Sequence, residues 1–408
     1  MSHCPITLAT GQMPVPNFPG APGTAFVPSG AKRGVVVLLH GISDTVGNFP
    51  ETISDVGGFL PLSYQTLAEN LQADGWVVVW PQEIGDNYIT TQTAGWWEDC
   101  DNDTTNGARL VTDMGLWWDH AVDYVNTVYP GCPIVIGGVS IGGYSSLEMA
   151  IHKTSTLAGY FCQVPATLIW CVQAITPSFS VDPVTLGVLD SSMNGLTLPQ
   201  STITATSITG SSPSKCVNVQ SGDGAQIVRY TSISGNQLLG CTGGDGTTTL
   251  ATGGDITYST FTSGMDVAMN ALAGLPSGSQ GTRPKGYLCY ETGDLLVGYA
   301  NSEQLGSEAD SGSVTVRSVS GGGHAMSKQD AAALSAVPWV SGGDYVLNQF
   351  VISSSVAYQC KLAVSGSSTA PASDSTHWET FGGDAYGPSP TTPGWFHTVM
   401  DPICPAIH

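Results

Sequence analysis

The sequence predicts an α/β protein built on a doubly wound, mostly parallel sheet, with an all-β insertion and a small β-rich C-terminal module. Three observations predict it. Continuous apolar, β-branched runs at 34–40 (GVVVLLH), 76–81 (WVVVWP) and 133–139 (PIVIGGV) read as strands buried on both faces. Segments with apolar residues three and four apart separate or follow them, which is helical spacing. Strand and helix therefore alternate, the order that builds a parallel sheet through crossover helices.

Taken in order, the first strand at 34–40 is followed by a helix at 64–74 (YQTLAENLQAD) that stops at Gly75, then the strand at 76–81. A helix is expected over 109–128, the third strand over 133–139 and a helix over 142–152. The pattern resumes with strands at 284–291 (PKGYLCYE) and 314–318 (VTVRS) and a helix at 327–336. Between about 178 and 258 helical periodicity disappears. Short alternating stretches such as QIVRYTSI and NQLLGCT, punctuated by SGD, SGN and GGDG, read as hairpins. A compact β insert fits this better than a structureless loop of that length. From Trp339 a short turn-rich segment carries Trp339, Tyr345, Val351, Tyr358 and Trp378, and a Pro- and Gly-rich stretch ends the chain by wrapping over another surface. The expected organisation is a core in two parts, 1–177 and 259–337, an insertion at 178–258, a small module at 338–383 and a tail at 384–408.

Bulk composition narrows the function. With 408 residues, 41% of them hydrophobic, a packed core is expected and a disordered chain is not. Mean hydropathy is +0.09. The 32 acidic residues against 11 basic ones give a net charge of −21, which disfavours nucleic acid and anionic membrane surfaces as partners. No apolar run approaches the ~18 residues needed to span a bilayer. The stretch MSHCPITLATGQMPVPNFPG lacks the basic start and apolar run of a secretory signal. Ten cysteines show no CxxC spacing. Cys216 and Cys241 flank a short β-like segment and are a candidate pair, small buried thiols being the other reading.

The chemistry-bearing signal is Gly138-Val139-Ser140-Ile141-Gly142, between a buried strand and a helix. Glycines remove Cβ atoms where strand turns sharply into helix, so the serine protrudes at a strained backbone conformation. The Ile141 N–H then lies at a helix N-terminus, where an oxyanion would form. Directly after the first buried strand comes Leu39-His40-Gly41-Ile42, whose loop supplies a second donor, the Ile42 N–H, with His40 bracing the loop. Glu291-Thr292-Gly293-Asp294 ends the PKGYLCYE strand, and Asp294 is the candidate orienter of a histidine, with Glu291 and Asp310 as rivals. Gly321-Gly322-Gly323-His324 follows the VTVRS strand, and its glycines allow close approach to the serine. Among the other histidines, His120 and His152 fall on helices, His377 and His397 in the C-terminal region, and His3 and His408 at the ends. The chain order serine, aspartate, histidine points to acyl transfer through Ser140, Asp294 and His324. That chemistry needs no metal or cofactor.

LLHGISDTVGNF, GGVSIGGYSSLEMAI, ETGDLLVGYANSEQL and GGGHAMS resemble the corresponding blocks of the carboxylesterase/lysophospholipase (acyl-protein-thioesterase-like) branch of the α/β-hydrolases. The resemblance spans roughly 30–175 and 260–337. It implies an ester hydrolase with Ser140, Asp294 and His324 as triad and the Ile42 and Ile141 N–H groups as oxyanion hole. WWED at 96–99 resembles a segment beside that family's active site and implies substrate contact at Trp97. The family is typically a single compact domain, so the insert and C-terminal module are departures. YTSISGNQLLGCTGGDGTTTLATGGDI resembles small β repeats of phage structural and tail proteins, and 339–382 resembles carbohydrate-binding modules of the chitin-binding kind. These resemblances imply a virion-associated or extracellular enzyme acting on a cell-envelope or polysaccharide ester, a lipid or a glycan, with tail proteins as partners of the insert. Trp339, Tyr345, Tyr358 and Trp378 would then stack on sugar rings; the same rings would otherwise form the core of the small module. A secreted polyester or lipid hydrolase, and an inactive hydrolase-fold adhesion protein, are the competing expectations.

Overall fold

The computed structural model describes residues 11–15, 23–39, 62–81, 125–152, 157–165, 184–221, 224–258, 284–294, 299–309, 312–321, 326–380 and 389–404. β1 (Gly11–Val15) and β2 (Gly23–Val27) form an antiparallel pair ahead of β3 (Gly34–Leu39). Helix α1 (Leu62–Ala73) ends at Gly75, whose φ of 89° only glycine adopts without strain, and β4 (Trp76–Pro81) starts at once. β5 (Ile134–Val139), α2 (Ile141–His152) and β6 (Gly159–Gln163) follow. The insertion supplies β7 (Val184–Leu189), β8 (Thr202–Ile208), β9 (Cys216–Ser221), β10 (Gly224–Arg229), β11 (Ser232–Ser234), β12 (Gln237–Leu239) and β13 (Asp255–Tyr258). The chain returns through β14 (Lys285–Glu291), α3 (Ala300–Glu308), β15 (Val314–Val319) and α4 (Lys328–Ser335). It closes with β16 (Val337–Pro338), β17 (Gly343–Tyr345), β18 (Phe350–Ser353), β19 (Val356–Cys360), β20 (Val364–Ser367), β21 (Trp378–Thr380) and a helical turn at Phe396–Met400.

The central sheet has eight strands in the order β1-β2-β4-β3-β5-β6-β14-β15. Every neighbouring pair is parallel except those involving β2, which runs against both β1 and β4. An eight-stranded sheet in this order, with its second strand alone reversed and helices joining the parallel strands, is the α/β-hydrolase fold. β3 and β5 are buried along their whole length, which explains their unbroken apolar runs. Of the helix expected over 109–128, residues 125–128 are helical and the remainder lie outside the described residues. Among the described residues no helix is long and apolar enough to cross a membrane.

The insertion forms its own seven-stranded antiparallel sheet, β10-β9-β13-β7-β8-β12-β11, around a separate core that includes Leu186, Ile203, Val217, Val228, Leu238 and Ile256. The SGN punctuation is a two-residue turn, since Ser234 pairs with Gln237. The candidate Cys216–Cys241 pair is not formed: both are buried thiols outside any disulfide. Cys216 sits on β9 opposite Arg229, while the Cys241 Sγ points to the Leu238 carbonyl at 3.3 Å. Cys132, in contrast, is disulfide-bonded.

The C-terminal strands β16, β18, β19 and β21 make a small sheet with two different faces. Alternation along the strands decides which residue goes where. Phe350, Ile352 and Ala357 join the hydrolase core beside Leu67, Leu71 and Leu334. Val351, Tyr358, Cys360 and Trp378 face the other way and pack with Tyr345, the partly buried Trp339 covering them. The final turn continues the inward packing, with the Phe396 ring meeting Trp76 at 5.3 Å and Phe161 at 5.8 Å, both edge to face.

Candidate active site

Ser140 occupies the turn between β5 and α2 with a φ of 57°, a left-handed conformation that an L-residue with a side chain adopts at a cost. Its N–H donates to the Gln163 carbonyl at 3.0 Å, and its own carbonyl accepts the Tyr144 N–H at 3.0 Å as the first turn of α2 closes. The helix folds back so tightly that a Cβ on Gly138 would stand 2.5 Å from the Leu39 carbonyl oxygen and 2.6 Å from the Gly142 carbonyl carbon. The first glycine of the motif is therefore demanded by the backbone. Ile141 opens α2, so its N–H is among those a helix leaves without an intrahelical acceptor. Leu39, the last residue of β3, pairs with Gly138. β3 thus ends beside the serine turn; His40 and Ile42, which follow it in the sequence, lie outside the described residues.

Asp294 ends the turn after β14 and is buried. Its N–H closes that turn on the Glu291 carbonyl at 3.1 Å. The turn is tied to the end of β15 by three bonds: Thr292 N–H to the Val319 carbonyl at 3.0 Å, Gly293 N–H to the Gly321 carbonyl at 2.9 Å, and Gly321 N–H to Thr292 Oγ1 at 3.0 Å. Glu291, the rival carboxylate, is the last residue of β14, paired with Val319 and fully buried. Asp310 and His324 lie outside the described residues. The described residues on either side of His324 in the sequence are held by hydrogen bonds. Before it stands Gly321; after it Ser327 caps α4, with its N–H and hydroxyl donating to Asp330 at 2.9 and 2.6 Å and its Oγ accepting the Asp330 N–H at 3.1 Å. Asp330 is fully buried, 3.4 Å from the Arg317 guanidinium.

The strands that precede the three candidate positions in the sequence, β5, β14 and β15, belong to one run of parallel strands and so end on the same side of the sheet. One strand, β6, separates β5 from β14, a gap of about 10 Å at ordinary strand spacing. The end of β6 carries two features that no sequence pattern announces. Val164, a β-branched residue, has a φ of 39°, and its N–H donates to the Cys289 carbonyl at 2.8 Å. Gln163 has its side chain fully buried in register with Val139 and Cys289. Burial pushes the Cys289 thiol far up, so it stays protonated beside the site.

The remaining candidates fall elsewhere. Trp97 lies outside the described residues. Tyr345, Tyr358 and Trp378 are 6%, 6% and 2% exposed, with Tyr345 and Trp378 packed edge to face at 5.0 Å. Sugar stacking by these three rings is corrected: their faces are spent on the core of the C-terminal sheet. Trp339 is only partly buried against that core. His377 and His397 each pair with a nearby aspartate, Asp374 and Asp401, at 2.7 Å, and both belong to the C-terminal segment.

No family model matches the chain, and no curated protein matches it. Among solved structures, the chain is similar to Est1E from Butyrivibrio proteoclasticus at 13% identity, covering 77% of this chain and 90% of that one with a TM-score of 0.38. An esterase domain of a Rhodothermus marinus protein shares 11% identity over 80% of this chain and 94% of that one, TM-score 0.38. An acetyl xylan esterase from Aspergillus awamori shares 13% over 77% and 94%, TM-score 0.38. At these values it is the strand order and the Ser140 turn, not the likeness, that assign the fold.

Proposed function

We propose that this protein is a serine hydrolase of carboxylic esters, with Ser140 as nucleophile, His324 as base and Asp294 as the group that orients the histidine. The observation that carries the reading is Ser140 held at a strained left-handed φ between a buried parallel strand and a helix N-terminus. The shared side of the sheet on which the strands before Ser140, Asp294 and His324 end supports it. His324 takes the Ser140 hydroxyl proton as Oγ attacks the ester carbonyl carbon, and the oxyanion is held by the Ile141 and Ile42 N–H groups. Collapse breaks the ester C–O bond and the alcohol leaves with the proton from His324. Water, deprotonated by the same histidine, then attacks the acyl-enzyme and releases the acid and the free serine. Asp294 fixes the imidazole tautomer and stabilises the imidazolium.

Ser140→Ala tests this directly. Hydrolysis of p-nitrophenyl esters should fall by about 10³-fold or more, and fluorophosphonate labelling should vanish. Undiminished labelling of the variant would sink the assignment. Absence of labelling in the wild-type chain would favour an inactive adhesion protein instead.

For the substrate, the reading is an ester of a cell envelope or polysaccharide, met outside a cell and, through the insert, on a virion. Its support is the resemblance of the insert and the Cys132 disulfide, a bond that persists in oxidising compartments. A panel running from short acyl esters to acetylated glycans and envelope lipids discriminates this from a lipid or polyester hydrolase.

A further inference from the structure

We propose that Thr292 is a positioning residue for the Ser140 site, acting through its hydroxyl to set the Asp294 turn against the segment that leads to His324. The proposal rests on the triad reading above. Asp294 and His324 follow β14 and β15 in the sequence, and a triad works only if their relative placement is held to a fraction of an ångström. The strand pairing of β14 with β15 stops at Glu291 and Val319. Beyond that point the residues that follow the two strands would be free to separate. Instead the ladder is extended by two residues: Thr292 N–H reaches the Val319 carbonyl, and Gly293 N–H reaches the Gly321 carbonyl. Both of these bonds are made by backbone and would survive most substitutions.

The third bond is different, because a side chain makes it. The Gly321 N–H donates to Thr292 Oγ1 at 3.0 Å. Gly321 has a φ of 82°, so the chain turns there, away from extended geometry, and its N–H lies beyond the last β14–β15 pair, Glu291 with Val319. The threonine hydroxyl substitutes for the strand acceptor that the turn has lost. It therefore ties the residue two before Asp294 to the residue three before His324. The downstream end of the same segment is already locked by the Ser327–Asp330 capping box. Removing the hydroxyl loosens only the upstream end, which the Gly293–Gly321 backbone bond still holds, at the pair of residues whose separation matters. Thr292 is only partly buried, and Gly321 is exposed, so loss of this bond leaves no sealed-off donor in the core.

The test compares Thr292→Val, Thr292→Ser and Ser140→Ala in the full chain on p-nitrophenyl acetate, with Thr292→Ala as a second hydroxyl-free variant should the valine chain fold poorly. The expected result is a fall in kcat of about 10- to 100-fold in the valine or alanine variant with KM little changed, and recovery of the rate by serine. The acid limb of kcat/KM should also move to lower pH, because a displaced Asp294 stabilises the imidazolium less. Wild-type kcat and pH profile in the hydroxyl-free variants, with Ser140→Ala inactive, would overturn the role of Thr292 and leave the nucleophile standing. Equal losses in the serine and valine variants would also overturn it, by showing a packing effect. An active Ser140→Ala chain would remove the underlying reading and this proposal with it.

Discussion

The two segments added to the hydrolase core attach to it by opposite physics. The insertion, 184–258, keeps its apolar side chains to itself: Leu186, Val217, Leu238 and their neighbours form a core that, among the described residues, shares none with that of the central sheet. Among the described residues, its contacts with α3 include polar ones. Gln304 on α3 receives the Ile227 N–H at 2.7 Å and donates to the Ile227 carbonyl at 2.8 Å, and Arg229 meets Glu308 at 3.3 Å. The C-terminal segment keeps Tyr345, Val351, Tyr358, Cys360 and Trp378 for a small core of its own and gives the rest of its buried apolar residues away. Phe350, Ile352, Ala357, Trp395, Phe396, Met400 and Cys404 all belong to the core of the central sheet. Asn70 stitches the join, accepting the Phe350 N–H at 2.7 Å and donating to the Asn348 carbonyl at 3.0 Å. Arg33, buried over the Trp76 ring, binds Asp74 at 2.7 Å, Asp401, and the Cys404 carbonyl at 3.1 Å. Burial outweighs the attraction within this cluster, pushing Asp74 up to about 6 and Arg33 below its ordinary range. The lesson is that an added segment with its own sheet can be an accessory, while a smaller one can be a missing wall of the main core.

The largest effect that would break this comparison comes from removing each segment in turn. Truncation before Val337 strips one apolar face from α1 and α4 and the Phe396 ring from Trp76 and Phe161. That chain should lose its cooperative calorimetric transition and its near-ultraviolet circular dichroism. Excision of 184–258 should not do so. Val184 and Tyr258 are register partners in β7 and β13, so the insertion enters and leaves through one point that a short glycine–serine linker can close. A cooperatively folded truncated chain would refute the contrast. It would also revive the simpler picture of 338–408 as a detachable substrate-binding appendage.

Single side chains sharpen the same contrast. Phe396→Ala should cost about 3–5 kcal/mol, as large-to-small changes in packed cores do, and should lower the transition of the hydrolase core itself. Leu238→Ala, equally buried but in the insertion, should cost about 2–5 kcal/mol and affect only the unfolding of the insert. Urea denaturation read separately by exchange protection in β5 and in β9 distinguishes the two. Equal loss of protection in both strands for either variant would mean that the two cores unfold as one.

This difference was not legible in the sequence, although much of the central sheet was. GVVVLLH, WVVVWP and PIVIGGV declared themselves because a parallel strand covered on both faces must be apolar throughout. β1, with a proline inside GQMPV, and β6, the short GYFCQ, gave no such signal. Nor did α3: ANSEQLGSE starts without a side-chain cap and carries Gly306 within it. In the site, Gly138 and Ser140 were readable because one local turn dictates both. Thr292 and Gln163 were not, since their roles arise from register between strands far apart in the chain. The C-terminal aromatics show a further limit: period-two alternation says that β18 and β19 have two apolar faces, but not that one of them belongs to a neighbouring core. Only the packing of Phe350 and Ile352 against Leu67 and Leu334 decides that.

The smallest predicted effect concerns the attachment of the insertion. β10 is the outermost strand of its sheet, and an outer strand presents backbone donors and acceptors that need partners. Gln304, fully buried, supplies both to Ile227 with one amide, as a neighbouring strand would, and its Nε2 also reaches Glu308 at 3.0 Å. Gln304→Ala removes donor and acceptor together and leaves the Ile227 peptide groups buried. The cost should be about 1–3 kcal/mol, and it should be local. Hydrogen exchange at the Ile227 amide should quicken by roughly 5- to 150-fold, which is that energy expressed as an opening equilibrium. Protection in β5 and β14 should stay unchanged. Gln304→Glu separates the two halves of the role, because it retains the acceptor for the Ile227 N–H and loses the donor to its carbonyl, so it should fall between alanine and the native residue. If alanine leaves Ile227 exchange untouched, the amide is not what holds the insertion, and the Arg229–Glu308 pair becomes the attachment to test.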